Sequence, residues 1–124
     1  MRIWLRWGGI LGGLSVLFGA FGAHSLKNIL TPERLHGFQT AVQYQFFHSL
    51  ALILVGLLAA HLGAEHAPRV NRAGKFFLAG ILLFCGSIYA LTLGGPRFFG
   101  PLTPIGGLCF MTGWFLLAFS LKKK

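Results

Sequence analysis

The chain has 124 residues, 55% of them hydrophobic and only 10% charged, with a mean hydropathy of +0.71. It contains no aspartate, and Glu33 and Glu65 are its only acids, so 11 Lys and Arg residues leave a net charge of +9. This composition excludes an ordinary soluble domain. The basic residues fall in short groups between apolar runs, not in the continuous stripe that a nucleic-acid surface needs.

Four runs carry no Asp, Glu, Lys or Arg: residues 7–26, 35–64, 76–96 and 98–121. Each reaches the ~20 residues that span a bilayer as a helix, and a helix satisfies its own backbone hydrogen bonds in lipid. The alternating ten-residue segments of a membrane barrel are absent. The expected fold is therefore all-α: an integral membrane bundle of four transmembrane helices near residues 3–26, 32–62, 75–93 and 102–121, a single domain over 1–124.

The first run has Arg2 and Arg6 in front and Ala20, Gly22 and Ala23 behind, which is also the outline of a signal peptide. Its apolar stretch is longer than a signal core, and its small residues follow a helical pattern. Gly8, Gly12, Ser15, Gly19, Gly22 and Leu26 share one face, while Ile10, Leu14, Leu17, Phe18 and Phe21 lie opposite. That is a packing face of small residues backed by a lipid face, so the run reads as a retained span.

Thr31-Pro32-Glu33 then has the form of a helix start: a hydroxyl N-cap, proline in the first turn and an acid nearby. The helix beyond it is apolar in its second half but carries Gln39, Gln43, Tyr44, Gln45 and His48 in its first. A lipid-facing helix has no use for these groups, so this span is expected inside the bundle.

Residues 63–75 read as the second connection, with Pro68, Arg69, Arg72 and Lys75. In the third span Ala79, Gly86 and Ala90 form a small-residue face, and Cys85, Tyr89 and Thr92 form a mildly polar stripe. Gly94-Gly95-Pro96-Arg97 breaks the chain before the last span, where Gly106, Cys109 and Gly113 align near Trp114. The helix-packing positions predicted overall are Gly12, Gly19, Gly22, Gly86, Gly106 and Gly113. Cys85 and Cys109 read as apolar free thiols, a disulfide being the alternative.

Lys and Arg number eight on the side holding both termini and the middle connection, against three on the other. The expected orientation has both termini in the cytoplasm, in a bacterial inner membrane.

The sharpest polar constellation is Thr40, Tyr44 and His48, repeated at four-residue intervals with Gln43 beside them. A histidine near mid-membrane is a functional-site candidate. The alternative is a neutral imidazole that bonds Tyr44, Ser49 or a neighbouring helix and locks the bundle. His24, Lys27, Arg34, His36 and Gln39 flank the outer connection and form a candidate head-group site, or else an interfacial belt. No metal or cofactor is expected: His24 and His48 lie about 10 Å apart in depth, a poor match for two axial haem ligands. With no nucleophile–base pair, P-loop, HExxH or paired carboxylate, no enzymatic activity is expected.

Gly19-Ala20-Phe21-Gly22-Ala23-His24, then Gln39-Thr40-Ala41 with Tyr44-Gln45 and His48, Gly86-Ser87-Ile88-Tyr89, Thr103-Pro104-Ile105-Gly106-Gly107 and Gly113-Trp114 form an ordered set across nearly the whole chain. The set resembles the YgdD/YwdK family of small bacterial inner-membrane proteins, itself similar to a small eukaryotic transmembrane family. The resemblance implies a four-helix integral membrane protein and assigns no reaction. Two functions fit this sequence. One is a non-enzymatic protein acting through helix–helix contacts as an oligomer or accessory subunit in the lipid bilayer. The other is a small transporter, channel or ligand binder using the polar face of the second helix.

Overall fold

The computed structural model describes residues 2–120. Four helices dominate it: α1 (Arg2–His24), α2 (Pro32–Leu62), α3 (Ala67–Thr92) and α4 (Leu102–Ala118). Short 3₁₀ turns at Leu26–Asn28 and Arg97–Phe99 extend the loops on one side. All four spans are long and apolar enough to cross a membrane. The molecule is a four-helix integral membrane bundle.

α2 has the bounds that its caps dictate. The Thr31 side chain accepts a hydrogen bond from the Arg34 backbone N–H at 3.2 Å, Pro32 occupies the first turn, and Gly63 ends the helix with a φ of 83°. α3 departs from expectation. It begins at Ala67, where Lys75 was predicted, so the connection is only residues 63–66. Arg69, Arg72 and Lys75 end the apolar run but are good helix formers, and Pro68 suits a first turn. Charge marked the edge of the hydrocarbon and not the end of the helix. The predicted ends of the fourth span, Leu121, and of the tail, Lys122–Lys124, lie outside the described residues.

Glycine sets the close approaches. On α1, Gly8, Ser15 and Gly22 are buried, and Gly12 and Gly19 are half-buried, all toward α2, while Leu26 is buried in the 3₁₀ turn that follows. A Cβ on Gly8 would stand 2.6 Å from Ile53 and 2.8 Å from the Ser49 carbonyl oxygen, and one on Gly22 would stand 3.0 Å from the Phe38 ring. α4 packs likewise on α3: Gly106 abuts the Phe84 backbone, Gly113 faces the Phe77 ring, and Gly80 of α3 lies under Phe110. Gly74 of α3 receives the Trp4 indole of α1, whose Nε1–H donates to Asn71 Oδ1 at 2.8 Å. Gly74 and Gly80 were not among the predicted packing positions, whereas Gly8 lies on the small-residue face expected of the first helix.

The other three helices do not surround α2 evenly. α1 packs on α2 and α4 packs on α3, and these two pairs join where α2 meets α3. α4 reaches α2 through side chains, chiefly Phe110 and Trp114.

Gly86 is the predicted packing glycine that the structure contradicts. It is exposed, and a Cβ there would meet nothing within 4 Å. The reason is a π turn at Ile81–Cys85, where the helix widens by about one residue and rotates the turns beyond it. The buried face past this point carries Cys85, Ser87 and Thr92, with Tyr89 half-buried, so the mildly polar stripe turns inward in place of the small one. Both cysteines are unpaired.

Candidate functional site

The interior polar groups converge on one face of α2. Ala41, Gln45, His48, Ser49, Leu52, Val55 and Ala59 are buried along it, the periodicity of a helix facing neighbours on two sides. Gln45, 2% exposed, uses both ends of its amide. Its Nε2 donates to the Leu11 carbonyl of α1 at 2.8 Å, and its Oε1 accepts from the Tyr89 hydroxyl of α3 at 2.6 Å. The Tyr89 ring lies between Phe18 of α1 and Phe38 of α2, each with centroids 5.3 Å away. One side chain thus ties three helices together.

His48, one turn further on, ties in the fourth. Its ring stacks on Phe110 at 3.6 Å between centroids and 13° between planes. Nδ1 lies 2.7 Å from the Tyr44 carbonyl oxygen, and the Trp114 Nε1–H donates to Nε2 at 3.1 Å. These partners define the ring's state. A carbonyl oxygen only accepts, so Nδ1 carries the hydrogen; an indole N–H only donates, so Nε2 must offer its lone pair. His48 is a neutral imidazole of the Nδ1–H tautomer with both nitrogens engaged. A proton on Nε2 would set two donors against each other.

A smaller clasp joins α3 and α4, where the hydroxyls of Ser87 and Thr103 share a hydrogen bond. Other hydroxyls bond within their own helices: Ser49 to the Gln45 carbonyl at 2.6 Å, and Thr40 to the His36 carbonyl at 3.0 Å. Burial with internal partners satisfies groups that lipid could not.

The sequence constellation is only partly gathered. His48 is central, and the Tyr44 ring packs against Phe84 at 4.8 Å but is 39% exposed. Thr40 is half-buried and bonded to its own helix, and Gln43 faces outward. The four-residue spacing chosen from the sequence is one residue off the buried face, which runs through Gln45 and not Tyr44. Gln43 instead lines a furrow between α1 and α2, with cavities of about 390 and 280 Å³, together with Gly19, Val42 and, in the smaller one, Gln39. His24, Lys27, Arg34, His36 and Gln39 gather around the end of α1 and the start of α2, all of them exposed. Among the described residues no group of three or more His, Cys, Asp or Glu could hold a metal ion.

Sequence reasoning undervalued Gln45, Tyr89 and Trp114. Small residues at Ala41, Ser49, Gly56 and Ala59 trace the face that holds Gln45. Trp114 gives no periodic signal, because its indole reaches across from an exposed position.

A family profile described as "Protein of unknown function (DUF423)" matches residues 18–107. The chain belongs to the DUF423 family. Its relatives include UPF0382 membrane proteins, and the one from Staphylococcus haemolyticus is 37% identical over 123 residues, 99% of this chain and 98% of its own. YwdK of Bacillus subtilis, also a UPF0382 membrane protein, is 36% identical over the same shares, and a Haemophilus influenzae relative is 40% identical over 91% of this chain and 89% of its own. No solved structure matches the chain. Gln45, His48 and Tyr89 fall within the residues that the DUF423 profile matches, and Trp114 lies beyond them.

Proposed function

We propose that this DUF423 protein is a non-enzymatic inner-membrane protein that works through helix–helix contacts, as a homo-oligomer or as an accessory subunit of a larger membrane complex. Both termini lie in the cytoplasm, in keeping with eight Lys and Arg on that side against three. The observation that carries the reading is the closed interior: Gln45 and His48 spend their polar atoms on neighbouring helices and on their own backbone, leaving little along them for a passing solute. Four helices filled by side chains leave little room for a pore within one subunit. Meanwhile Gly9 and Gly13, four residues apart on α1, are exposed and open, which lets another helix approach closely.

The test is the mass of the purified protein in detergent together with solute flux in liposomes. A defined oligomer or a co-purified membrane partner, lost on Gly9→Leu with Gly13→Leu, is expected, with no flux. A monomer that passes solute would overturn the proposal and favour the transporter reading. The furrow of Gln39 and Gln43 favours a second reading, a small ligand held between α1 and α2. Mass spectrometry of the purified protein tests it: a retained small molecule displaced by Gln43→Leu is its expected signature.

A further inference from the structure

At the end of the bundle where α3 starts and α4 finishes, a cavity of about 400 Å³ opens between the two helices. Arg69 and Arg72 line it from α3, and Thr112, Phe115, Leu116 and Phe119 line it from α4 and its C-terminal end. Among the described residues no acidic side chain lines it. The chain has only two acids: Glu33 lies in the first turn of α2, at the other membrane face, and Glu65 is exposed in the loop before α3. Two guanidiniums one turn apart with no carboxylate between them form an anion site, since each presents a fork of donors matched to phosphate oxygens.

The same two helices continue the cavity inward. A second depression, about 230 Å³, is lined by Lys75, Phe76, Ala79 and Cys109. Cys109, Thr112 and Leu116 share one face of α4, as Arg72, Phe76 and Ala79 do on α3. The result is a furrow with its cations at the interface and apolar walls toward the hydrocarbon. Phe115 and Phe119, 64% and 75% exposed, flank its mouth.

We propose that this furrow holds one anionic phospholipid of the leaflet on the N-terminal side, its phosphate between Arg69 and Arg72 and an acyl chain along Phe76, Ala79 and Cys109. A basic pocket between transmembrane helices is the form that such head-group sites take. The site is separate from the Gln45–His48 cluster and from the outer residues near His24, and it does not depend on the proposed function.

The experiment equilibrates the purified protein in detergent with equal phosphatidylglycerol and phosphatidylcholine and counts retained lipid by native mass spectrometry. Wild type is expected to retain phosphatidylglycerol preferentially. Arg69→Gln and Arg72→Gln should each reduce that retention about fivefold, the equivalent of ~1 kcal/mol per arginine near a membrane surface, without changing phosphatidylcholine. Arg2→Gln with Arg6→Gln, which removes two charges on the same side but outside the furrow, should change it less than about twofold. Equal retention of both lipids by wild type would overturn the proposal, and so would an equal loss in the α1 variant. Displacement by millimolar glycerol phosphate would also overturn it, because the ligand would then be a free phosphate. If the arginine variants do not fold, Thr112→Phe fills the cavity from α4 with the charges intact: loss of the preference supports the lipid site and its retention sinks it.

Discussion

His48 and Gln45 differ in what their removal should do, although they sit one turn apart. Interhelical hydrogen bonds in membranes average only ~0.6 kcal/mol, with a maximum near ~1.7. His48→Leu gives up the bond from Trp114 but keeps an apolar body against Phe110, so it should fold with a small loss in thermal melting in detergent. Trp114→Phe should lose a similar amount, and the double variant less than the sum, because both remove one bond. His48→Asp should be far worse, by about 2.5–3.5 kcal/mol, since a carboxylate there has no cation. Gln45→Leu removes two interhelical bonds at once and strands the Tyr89 hydroxyl, while the Leu11 carbonyl keeps its helical bond. A cycle with Tyr89→Phe should show coupling at or above the ~0.6 kcal/mol average; additive losses would mean that the Gln45–Tyr89 bond contributes nothing. His48 was readable from sequence because a membrane histidine is conspicuous. Its partner was not, since Trp114 lies 66 positions away, and such pairings depend on how α4 crosses α3.

Glycines divide into those that set helix spacing and those that do not, and substitution should separate them. Gly106→Ala places a methyl into the Phe84 backbone, which cannot swing aside, and overpacking of this kind costs about 1–3 kcal/mol. Gly86→Ala meets open space, and in a helix interior alanine gains up to ~1 kcal/mol over glycine. Melting temperatures of the two variants should therefore move in opposite directions; a matching fall in both would show that Gly86 is packed after all. The α1 glycine face and the start of α2 were fully legible, because 3.6-residue periodicity and capping are local properties. The beginning of α3 and the Gly86 face were not. Apolar content says where lipid is, but says nothing of a helix that runs out into water, and a π turn has no compositional mark in Ile-Leu-Leu-Phe-Cys.

For the molecule as a whole, the number of spans was readable from four uncharged runs. Their packing order was not, because the small-residue stripes on the first, third and fourth spans look alike and do not name their partners. The Trp4–Asn71 bond places the start of α1 beside the start of α3, so Arg2, Arg6, Arg69 and Arg72 gather at one end. With the positive-inside rule, this end should be cytoplasmic. A reporter active only in the periplasm should stay silent when fused after Lys124, and activity there would invert the topology. Arg2→Glu with Arg6→Glu should weaken the bias without reversing it, since Arg69, Arg72 and Lys75 remain on that side.

The π turn also makes α3 a helix with a spare residue. Removing one residue from an ordinary membrane helix rotates everything beyond it by about 100° and shortens it by ~1.5 Å. Here the widened turn can absorb the excision by relaxing to α geometry, so deleting Leu82, which is 64% exposed, should leave helical circular dichroism intact. Both halves of α3 would then keep their places, so the Gln45–Tyr89 coupling should survive the deletion while Trp114 still meets His48, and loss of that coupling would show that the turn does not absorb it. At this point alone, α3 can lose a residue without changing which groups its two ends present to the bundle, as a belt gives up a notch of slack.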